Sequence, residues 1–328
     1  MKRQFIHTYK DIISLDNLLS AYTEFIQGKK HKADVLLFSL HLIDNIIQLH
    51  TSLANFTYQH SGYEAFNISD PKPRNIHKAQ VKDRLLHHAI YRQLYPFFDH
   101  TFTQDSYSCR NNKGTHKAIN KFKSYSLKVS QNNTKTCYVL KCDIQKFFAN
   151  IDHNILKDIL SQYIKDQNIL WLLSKVIDSF ETSSNKGLPL GNLTSQLFIN
   201  IYMNEFDQYV KHKLKQKYYI RYADDFVFLS QSKEDLLKLL PQIKNFLGKK
   251  LQLSLHPKKV SLTTLASGVD YLGYVNFPNY RVLRTKTKQR MLKKVNNKNL
   301  PSYLGLLQHG NNYNLENTIL NKIALQEQ

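Results

Sequence analysis

The chain has 328 residues, is 42% hydrophobic and 12% aromatic, and carries 46 Lys and Arg against 25 Asp and Glu, a net charge of +21. This composition can fill a hydrophobic core and excludes a disordered chain, and no apolar run is long enough to span a bilayer. The positive excess predicts a polyanionic partner, with nucleic acid the leading candidate and no membrane. The three cysteines form no paired spacing and the charged start does not fit a signal peptide, so we expect reduced thiols in a cytoplasmic protein.

The first half of the chain is predicted to be mostly helical. Residues 12–56 are expected to form two helices, because apolar residues recur at helical spacing in "LLFSLHLIDNIIQLHTSL". After a break at "NISDPKPRNI", the stretch "KAQVKDRLLHHAIYRQLYPFFD" predicts a helix that ends near Pro96. A glycine-punctuated loop then leads to a basic helix at 113–128, and a buried strand is predicted at 137–143.

The second half mixes helices with short strands. Two helices are predicted at about 152–165 and 168–180, followed by a Gly/Pro loop that opens a long helix capped by Thr194 or Ser195. The stretch "YYIRYADDFVFLS" predicts a β-hairpin, which precedes an amphipathic helix. Short strands are expected in "LQLSLHPKKVSLTT", "GVDYLGYVNF" and "YRVLR", and a helical tail from Thr285. We therefore expect an α+β protein with mostly antiparallel strands.

Three aspartates stand out against this apolar background. Asp143 ends the predicted strand, and Asp224 with Asp225 interrupts the apolar hairpin. A single aspartate would be a turn or capping residue, but buried carboxylates need compensation, and a bound cation supplies it. If the strand and hairpin are neighbours in one sheet, these side chains converge. Two or three carboxylates would then hold Mg²⁺, and a pair of such ions can drive an in-line phosphoryl transfer.

Several blocks of the sequence resemble, in family order, the motifs of reverse transcriptases over about 71–284. The fingers motifs are resembled by "PKPRNI", "KDRLLHHAI" and "SYSCRNNKGTHKAI", and the first catalytic aspartate by "LKCDIQKFFANIDH". The nucleotide pocket is resembled by "GLPLGNLTSQLFINIYMNEFD", the catalytic hairpin by "YADD", and the last palm motifs by "LSLHPKKVSL" and "VDYLGY". The resemblance implies an RNA-directed DNA polymerase that uses two Mg²⁺ ions, dNTPs, a template RNA and a cDNA or primer strand.

The same resemblance implies the right-hand polymerase fold of fingers, palm and thumb, with a mostly antiparallel palm sheet. We expect N-terminal helices and fingers in 1–136, the palm in 137–284 with a fingers insertion at about 153–190, and a short helical thumb in 285–328. The sequence leaves no room for an RNase H domain. The basic helix at 113–128 and "RTKTKQRMLKK" are candidate tracks for an RNA–DNA duplex.

One departure from the usual motif narrows the resemblance. Most reverse transcriptases carry Gln-Gly and Ser-Pro pairs in the pocket motif, whereas this chain has Leu190-Gly191 and Ser195-Gln196. The form "LGNLTSQ" and the tail "SYLGLLQHGNNYNL" resemble the enzymes of diversity-generating retroelements. Those enzymes copy a template-repeat RNA into cDNA with errors at adenines, and work with a small basic accessory protein.

The resemblance also assigns roles near the aspartates. Asp143, Asp224 and Asp225 match the metal-binding triad, with Asp225 the least certain ligand because adjacent strand residues point opposite ways. Phe148 matches the steric gate that selects dNTPs over NTPs. Since Phe147 precedes it, one of the two rings must face the core.

Further positions match the nucleotide pocket. Leu190, Gly191 and Gln196 belong to the pocket motif, and Leu190 replaces the usual Gln, so only apolar contact with the nucleotide is expected and fidelity should fall. Arg110 matches the fingers arginine that contacts the triphosphate, and Arg74 is a second candidate. For either arginine, ordinary contact with RNA backbone is the alternative.

The last motifs supply a candidate acid and the primer grip. Lys259 matches the lysine that can protonate the leaving pyrophosphate, although Lys258 could take that role and either could be a solvated surface lysine. Leu272 and Gly273 match the primer grip, where a glycine lets backbone approach the primer terminus.

Three other functions stay open at this stage. A group II intron-type reverse transcriptase would need a splicing domain and a longer thumb than the residues after Arg284 can form. An antiviral-defence reverse transcriptase can also be compact. A non-catalytic RNA-binding protein would explain the charge equally well, but it would not need three costly carboxylates.

Overall fold

The structure is a computed structural model that describes residues 3–70 and 73–325. Its helices and strands follow one another in the order α1 Tyr9–Ile13, α2 Leu15–Phe25, α3 Ala33–Leu40, α4 Leu42–Ala54, β1 Tyr63–Ile68, β2 Arg74–Ala79, α5 Val81–Asp99, α6 Thr115–Val129, β3 Tyr138–Asp143, α7 His153–Ser161, α8 Gln167–Ile177, α9 Leu193–Gln208, β4 Tyr219–Tyr222, β5 Asp225–Ser230, α10 Lys233–Leu251, β6 Ser261–Thr264, β7 Val269–Tyr271, β8 Tyr274–Asn276, β9 Arg281–Leu283, α11 Thr285–Lys294, α12 Leu300–Leu307 and α13 Tyr313–Ala324. The predicted α+β class with antiparallel sheets is confirmed.

The chain divides into two compact units, each discontinuous in sequence. The first unit comprises the residues up to 104, residues 144–209 and residues 244–254. The second unit comprises residues 105–143, residues 210–243 and the residues from 255 onward. Each unit is described by itself below.

The N-terminal helices of the first unit differ from the prediction of two helices in 12–56. Four helices form, because the chain leaves helical geometry at two points besides the connection between α2 and α3. Ser14 is extended and its hydroxyl accepts the Asn17 N–H, so it caps α2. His41, with φ −119° and ψ 40°, separates α3 from α4. Helical spacing of apolar residues does not register such interruptions.

A β-hairpin that the sequence did not indicate follows these helices. Strand β1 pairs antiparallel with β2, from Tyr63 opposite Ala79 to Ile68 opposite Arg74. Half of the hairpin's residues are exposed, four of them consecutive in β1, so the alternation that marks a half-buried strand is missing. Pro71 and Lys72, which begin the motif "PKPRNI", lie outside the described residues.

Helix α5 was predicted to end near Pro96, and that boundary is wrong. The helix continues to Asp99 with Pro96 inside it. Proline removes one hydrogen bond from the helix, but α5 packs against α2 and α9 and buries a row of apolar side chains. That tertiary packing outweighs the local loss.

The sheet of the second unit has the strand order β4-β5-β3-β6, with all neighbours antiparallel. Its core cluster joins sheet residues such as Val139, Ile220 and Val227 to Phe122 of α6. The predicted strand at 137–143, the hairpin, and the helices α6 and α10 are therefore confirmed. In "LQLSLHPKKVSLTT", only Ser261–Thr264 forms a strand.

The C-terminal part of the second unit has its own packing. Strands β7, β8 and β9 form a three-stranded antiparallel sheet, and the predicted helical tail is confirmed as α11–α13. Met291, Leu307, Ile319 and Ile323 of these helices bury against Tyr274 of β8. Cys109, Cys137 and Cys142 form no disulfide within the described residues. Within the described residues, every helix is too short or too polar to cross a membrane.

Candidate active site

Strand pairing brings the predicted aspartates together in the second unit. Asp143, the last residue of β3, lies opposite Asp225, the first residue of β5. Tyr222 of β4 also pairs with Asp225, so Ala223 and Asp224 form a two-residue turn. Ala223 has φ 53°, the positive φ that tight hairpin turns require. The expected convergence of the strand and the hairpin is thus a direct consequence of register.

Lys259 neutralises the first of these carboxylates. Its Nζ lies 2.9 Å from Oδ1 and 3.0 Å from Oδ2 of Asp143. Asp143 itself is only 8% exposed. The turn "HPKK" is fastened to the same residue, since the His256 N–H donates to the Asp143 carbonyl at 2.7 Å. Lys258 is exposed and its backbone N–H donates to His256 Nδ1. Of the two candidate lysines, Lys259 is the one that contacts a carboxylate.

The other two carboxylates are destabilised as anions. Burial, and then the negative charge of Asp143, raises the pKa of Asp224 to about 6. Burial also raises the pKa of Asp225, and the positive charge of Lys141 opposes that rise. A pair of carboxylates with raised pKa values in one place gains most from a cation that enters among them.

The donor set suits a divalent metal ion, although the ligands are not yet gathered around one point. Across residues 3–70 and 73–325, no three His, Cys, Asp or Glu side chains stand in an arrangement that would hold a metal, and Lys259 Nζ contacts both oxygens of Asp143. Asp225 Oδ1 is buried without a hydrogen-bond partner. Asp143, Asp224 and Asp225 would hold the ion, which supplies neutralisation of the charge that develops in phosphoryl transfer.

The turn that carries Asp224 is held by a residue that the sequence did not single out. Arg221 is fully buried, and its guanidinium donates to the Ala223 carbonyl at 3.2 Å and to Ser106 Oγ at 3.0 Å. Arg110 donates to the Ser106 carbonyl at 3.0 Å. Arginine is almost never fully buried without partners, but the single sequence gave no sign that this one is internal.

The primer-grip candidates form a tight turn in the same unit. Leu272 and Gly273 connect β7 to β8 with φ values of 50° and 95°, as a type I′ hairpin turn requires at both central positions. The Gly273 carbonyl accepts the Arg284 N–H at 3.1 Å. The tip of the turn is thereby fixed to the start of α11, and both of its residues are partly exposed.

In the first unit, residues 187–192 form a loop, called here the pocket loop, that is bound to β2. The Leu190 carbonyl accepts the His77 N–H at 3.2 Å, and Asn192 Nδ2 donates to the His77 carbonyl at 2.8 Å. Gly191 has φ 103°, and a Cβ there would stand 2.9 Å from Ile76 Cγ2. Glycine is therefore needed for both conformation and space.

Helix α9 starts differently from the prediction. Thr194 or Ser195 was expected to cap it, but Asn192 occupies the N-cap position and makes no side-chain cap. Thr194 and Ser195 are buried inside the first turn. The prediction is wrong because the helix begins earlier than Thr194, and Asn192 instead donates its Nδ2 to the His77 carbonyl.

The other substrate-binding candidates of the first unit are placed as follows. Gly191 and Gln196 line a cleft of about 400 Å³. Phe147 is buried at 3% exposure while Phe148 is half-buried, so Phe147 is the ring that faces the core. Arg74 is exposed at the start of β2.

A large cavity lies elsewhere in the first unit. It measures about 960 Å³, is lined by α3, α4 and the β1–β2 hairpin, and contains none of the predicted site residues. Size alone therefore does not locate the site in this chain.

Comparisons with known proteins agree with the motifs. Residues 69–276 match the family model described as reverse transcriptase (RNA-dependent DNA polymerase). The group II intron-encoded protein LtrA of Lactococcus lactis subsp. cremoris is 23% identical, with 87% of this chain and 58% of that protein covered. Protein YkfC of Escherichia coli (strain K12) is 24% identical over 63% of this chain and 64% of that protein.

Two further similarities are more distant or cover less of the relative. The putative COX1/OXI3 intron 2 protein of Saccharomyces cerevisiae is 22% identical over 65% of this chain and 30% of that protein. A solved structure of apo telomerase from Candida tropicalis aligns with a TM-score of 0.48 at 13% identity, covering 74% of this chain and 59% of that one. The chain spans between about a third and two thirds of the length of these curated relatives.

Proposed function

Because the chain belongs to the reverse transcriptase (RNA-dependent DNA polymerase) family, we propose that it copies RNA into DNA by Mg²⁺-dependent nucleotidyl transfer. Family membership gives the expected right-hand polymerase fold with an antiparallel palm sheet, and the sheet β4-β5-β3-β6 fits that palm. The assignment of fingers, palm and thumb to 1–136, 137–284 and 285–328 is part of the proposal.

The cross-strand pairing of Asp143 with Asp225, beside Asp224 in the turn, is the observation that carries the proposal. Three carboxylates on one hairpin and its neighbouring strand cost free energy unless a cation joins them. Retaining them suits a polymerase better than a protein that only binds RNA. The charge of +21 supports contacts with a template RNA, a primer strand and the phosphates of dNTPs.

Each residue then has a task in the proposed reaction. Asp143, Asp224 and Asp225 would hold two Mg²⁺ ions, and such ions, when bound, would supply activation of the primer 3′-hydroxyl and neutralisation of the charge on the pyrophosphate. Lys259 Nζ gives up its contact with Asp143 and donates a proton to the pyrophosphate oxygen. The guanidinium of Arg221 keeps the Ala223–Asp224 turn rigid while this exchange of partners takes place.

The remaining candidates bind substrates in the proposal. Arg110 and Arg74 contact phosphates, and Phe148 packs beneath the deoxyribose. Leu272 and Gly273 hold the primer terminus through the backbone of their turn.

A primer-extension assay tests the polymerase proposal. Wild-type protein with Mg²⁺ and dNTPs should extend a DNA primer on an RNA template, and Asp143→Asn should abolish that extension while leaving the melting temperature within a few degrees. Failure of wild-type protein on both homopolymeric and structured RNA templates, with an accessory protein supplied, would favour a protein that only binds RNA.

The finer proposal is that the enzyme serves a diversity-generating retroelement and is error-prone at adenines. The support is Leu190 in place of Gln and the motif "LGNLTSQ", because an apolar side chain forms no hydrogen bond that could reject a wrong base. A small basic accessory protein is a further expected partner. Sequencing the cDNA made by wild-type protein tests this, since errors spread evenly over the four template bases would contradict it.

An intron-type or defence-type reverse transcriptase is the second candidate. It is favoured by relatives whose names denote intron-encoded proteins. The DNA that flanks the gene separates the candidates: a repeat pair differing at adenines supports the retroelement, and a surrounding intron or defence locus supports the second candidate.

A further inference from the structure

Lys141 is a charged residue of the second unit to which the proposed chemistry gives no task. It lies two residues before Asp143 on β3, so both side chains project from the same face of the sheet. Its Nζ donates to the Asp270 carbonyl at 2.8 Å and stands 3.7 Å from Asp225 Oδ1. Only 18% of the side chain is exposed.

These two distances divide the roles of the ammonium group. At 2.8 Å the contact with the Asp270 carbonyl is a hydrogen bond, whereas 3.7 Å is too long for one. Asp225 Oδ1 consequently has no hydrogen-bond partner although it is buried. Lys141 therefore interacts with Asp225 through its charge alone, and its hydrogen bond is made to β7.

The backbone that Lys141 holds leads to the primer-grip turn. Asp270 is followed by Tyr271 and then by Leu272 and Gly273. The Asp270 carboxylate pairs with Arg284 Nε, and the Arg284 N–H donates to the Gly273 carbonyl. Lys141 thus holds the middle of β7 to the strand that carries Asp143, and Arg284 holds Asp270 and the turn after β7 to the start of α11.

We propose that Lys141 is a positioning residue that couples the primer-grip strand β7 to the catalytic carboxylates. Its hydrogen bond to the Asp270 carbonyl fixes the position of β7 relative to β3. Its positive charge balances the negative charge of Asp225, so that this carboxylate holds a divalent cation only weakly. The inference rests on the proposed polymerase function. It makes Asp225 the weakest of the three metal ligands, with Asp143 and Asp224 as the principal ones.

Removing the charge and removing the hydrogen bond should then have different effects. Loss of the charge leaves Asp225 unbalanced, so a divalent cation binds more tightly. Loss of the hydrogen bond frees β7, so the primer terminus is held less well. A side chain that merely supports the fold would weaken both properties together.

Three substitutions separate the two tasks. Lys141→Gln keeps an N–H donor for the Asp270 carbonyl but removes the charge, Lys141→Met removes both, and Lys141→Arg keeps both. Lys258→Met is the matched control, because it removes an exposed charge of the same neighbourhood that contacts no carboxylate.

Two binding measurements, neither of which requires catalytic turnover, distinguish these variants. Mn²⁺ binding is followed by electron paramagnetic resonance on primer-free protein, and primer–template binding by fluorescence anisotropy in Ca²⁺. Both Lys141→Gln and Lys141→Met should bind Mn²⁺ about five- to tenfold more tightly. Primer–template affinity should fall about fivefold in Lys141→Met and less in Lys141→Gln. For Lys141→Arg and Lys258→Met, both the Mn²⁺ affinity and the primer–template affinity should stay within about twofold of wild type.

Unchanged or weaker Mn²⁺ binding in Lys141→Gln, with an unchanged melting temperature, would overturn the inference, and so would an equal gain in Lys258→Met. Should Lys141→Met fold poorly, Lys141→Gln and Lys141→Arg still decide. A wild-type protein that binds Mn²⁺ and primer–template but never extends the primer would defeat the proposed function while leaving these binding results readable.

Discussion

The carboxylate site of the second unit and the pocket loop of the first unit are built on different principles. Side chains and their charges form the carboxylate site: Asp143 and Asp225 face each other across paired strands, and Lys259 neutralises Asp143. Backbone groups form the pocket loop, where Leu190 is held through its carbonyl and Gly191 is fixed by the lack of a side chain.

This difference determines what a substitution can do in each region. At the carboxylate site, a change of one side chain removes a charge that neighbouring charges balance, so the rate of nucleotide addition should fall greatly. In the pocket loop, a change at Leu190 leaves the backbone bonds intact, so substrate choice should shift while folding and rate are largely kept. Substitutions in the two regions should therefore differ in whether they change rate or substrate choice.

Lys259→Ala should lower the rate of nucleotide addition about 100-fold, because the proposed acid at the pyrophosphate is lost. Lys258→Ala is the matched control and should stay within about twofold of wild type, since its side chain lies outside the carboxylate contacts. Single-turnover extension measures both variants. Equal losses in the two lysine variants would remove the distinction that the Lys259–Asp143 contact implies.

Phe148→Ala should admit ribonucleotides about 10- to 100-fold more readily, because the half-buried ring no longer excludes the 2′-hydroxyl. The ratio of kcat/KM for a dNTP and the matching NTP is the measurement. Phe147→Ala provides the contrast: that ring is in the core, and its loss should cost about 3–5 kcal/mol of unfolding free energy. A Phe148→Ala variant that still rejects ribonucleotides would assign the gate to another residue.

Leu190→Gln should reduce misincorporation opposite adenine about five- to tenfold, because an amide adds a hydrogen bond that a mispaired nucleotide cannot satisfy. Melting temperature and the rate with correct dNTPs should change little. Leu190→Met serves as the control, because it keeps an apolar side chain of similar volume. An unchanged adenine error rate in Leu190→Gln would mean that infidelity arises outside the pocket loop.

Asp224→Asn should stabilise the metal-free protein at pH 7.5 by about 1–2 kcal/mol. The folded pKa of Asp224 is raised to about 6, so the folded state keeps its proton where the unfolded chain has lost it. Wild-type stability contributed by this group is therefore present below pH 4 and is lost as the pH rises through 6. Denaturant unfolding in EDTA at pH 4 and pH 7.5 measures the difference in unfolding free energy between Asp224→Asn and wild type. That difference should appear only at the higher pH.

Several parts of this arrangement were readable from sequence. The apolar runs that flank Asp224 and Asp225 predicted the hairpin, and the apolar run that ends at Asp143 predicted a strand. Local patterns suffice for these elements because side-chain alternation and turn chemistry are short-range properties of the sequence. The pairing of that strand with the hairpin joins residues far apart in sequence, and it entered only as the condition for the aspartates to converge. The order of the motifs then predicted which residues meet.

Other parts depend on contacts that single-sequence patterns do not contain. The buried guanidinium of Arg221, the bond of Lys141 to the Asp270 carbonyl, and the use of the Asn192 amide by His77 all join residues far apart in sequence. Polar residues of these types are usually exposed. Their internal positions emerge only from tertiary packing.

If the carboxylate site performs metal-dependent copying of RNA, the loss of one carboxylate should stop nucleotide addition. Single-turnover addition of one dNTP to a primer on an RNA template is measured for wild type, Asp224→Asn and Asp235→Asn, the last being an exposed aspartate of α10. The account predicts a loss of at least about 1,000-fold in Asp224→Asn and wild-type rates in Asp235→Asn. Extension by Asp224→Asn within tenfold of wild type would contradict it.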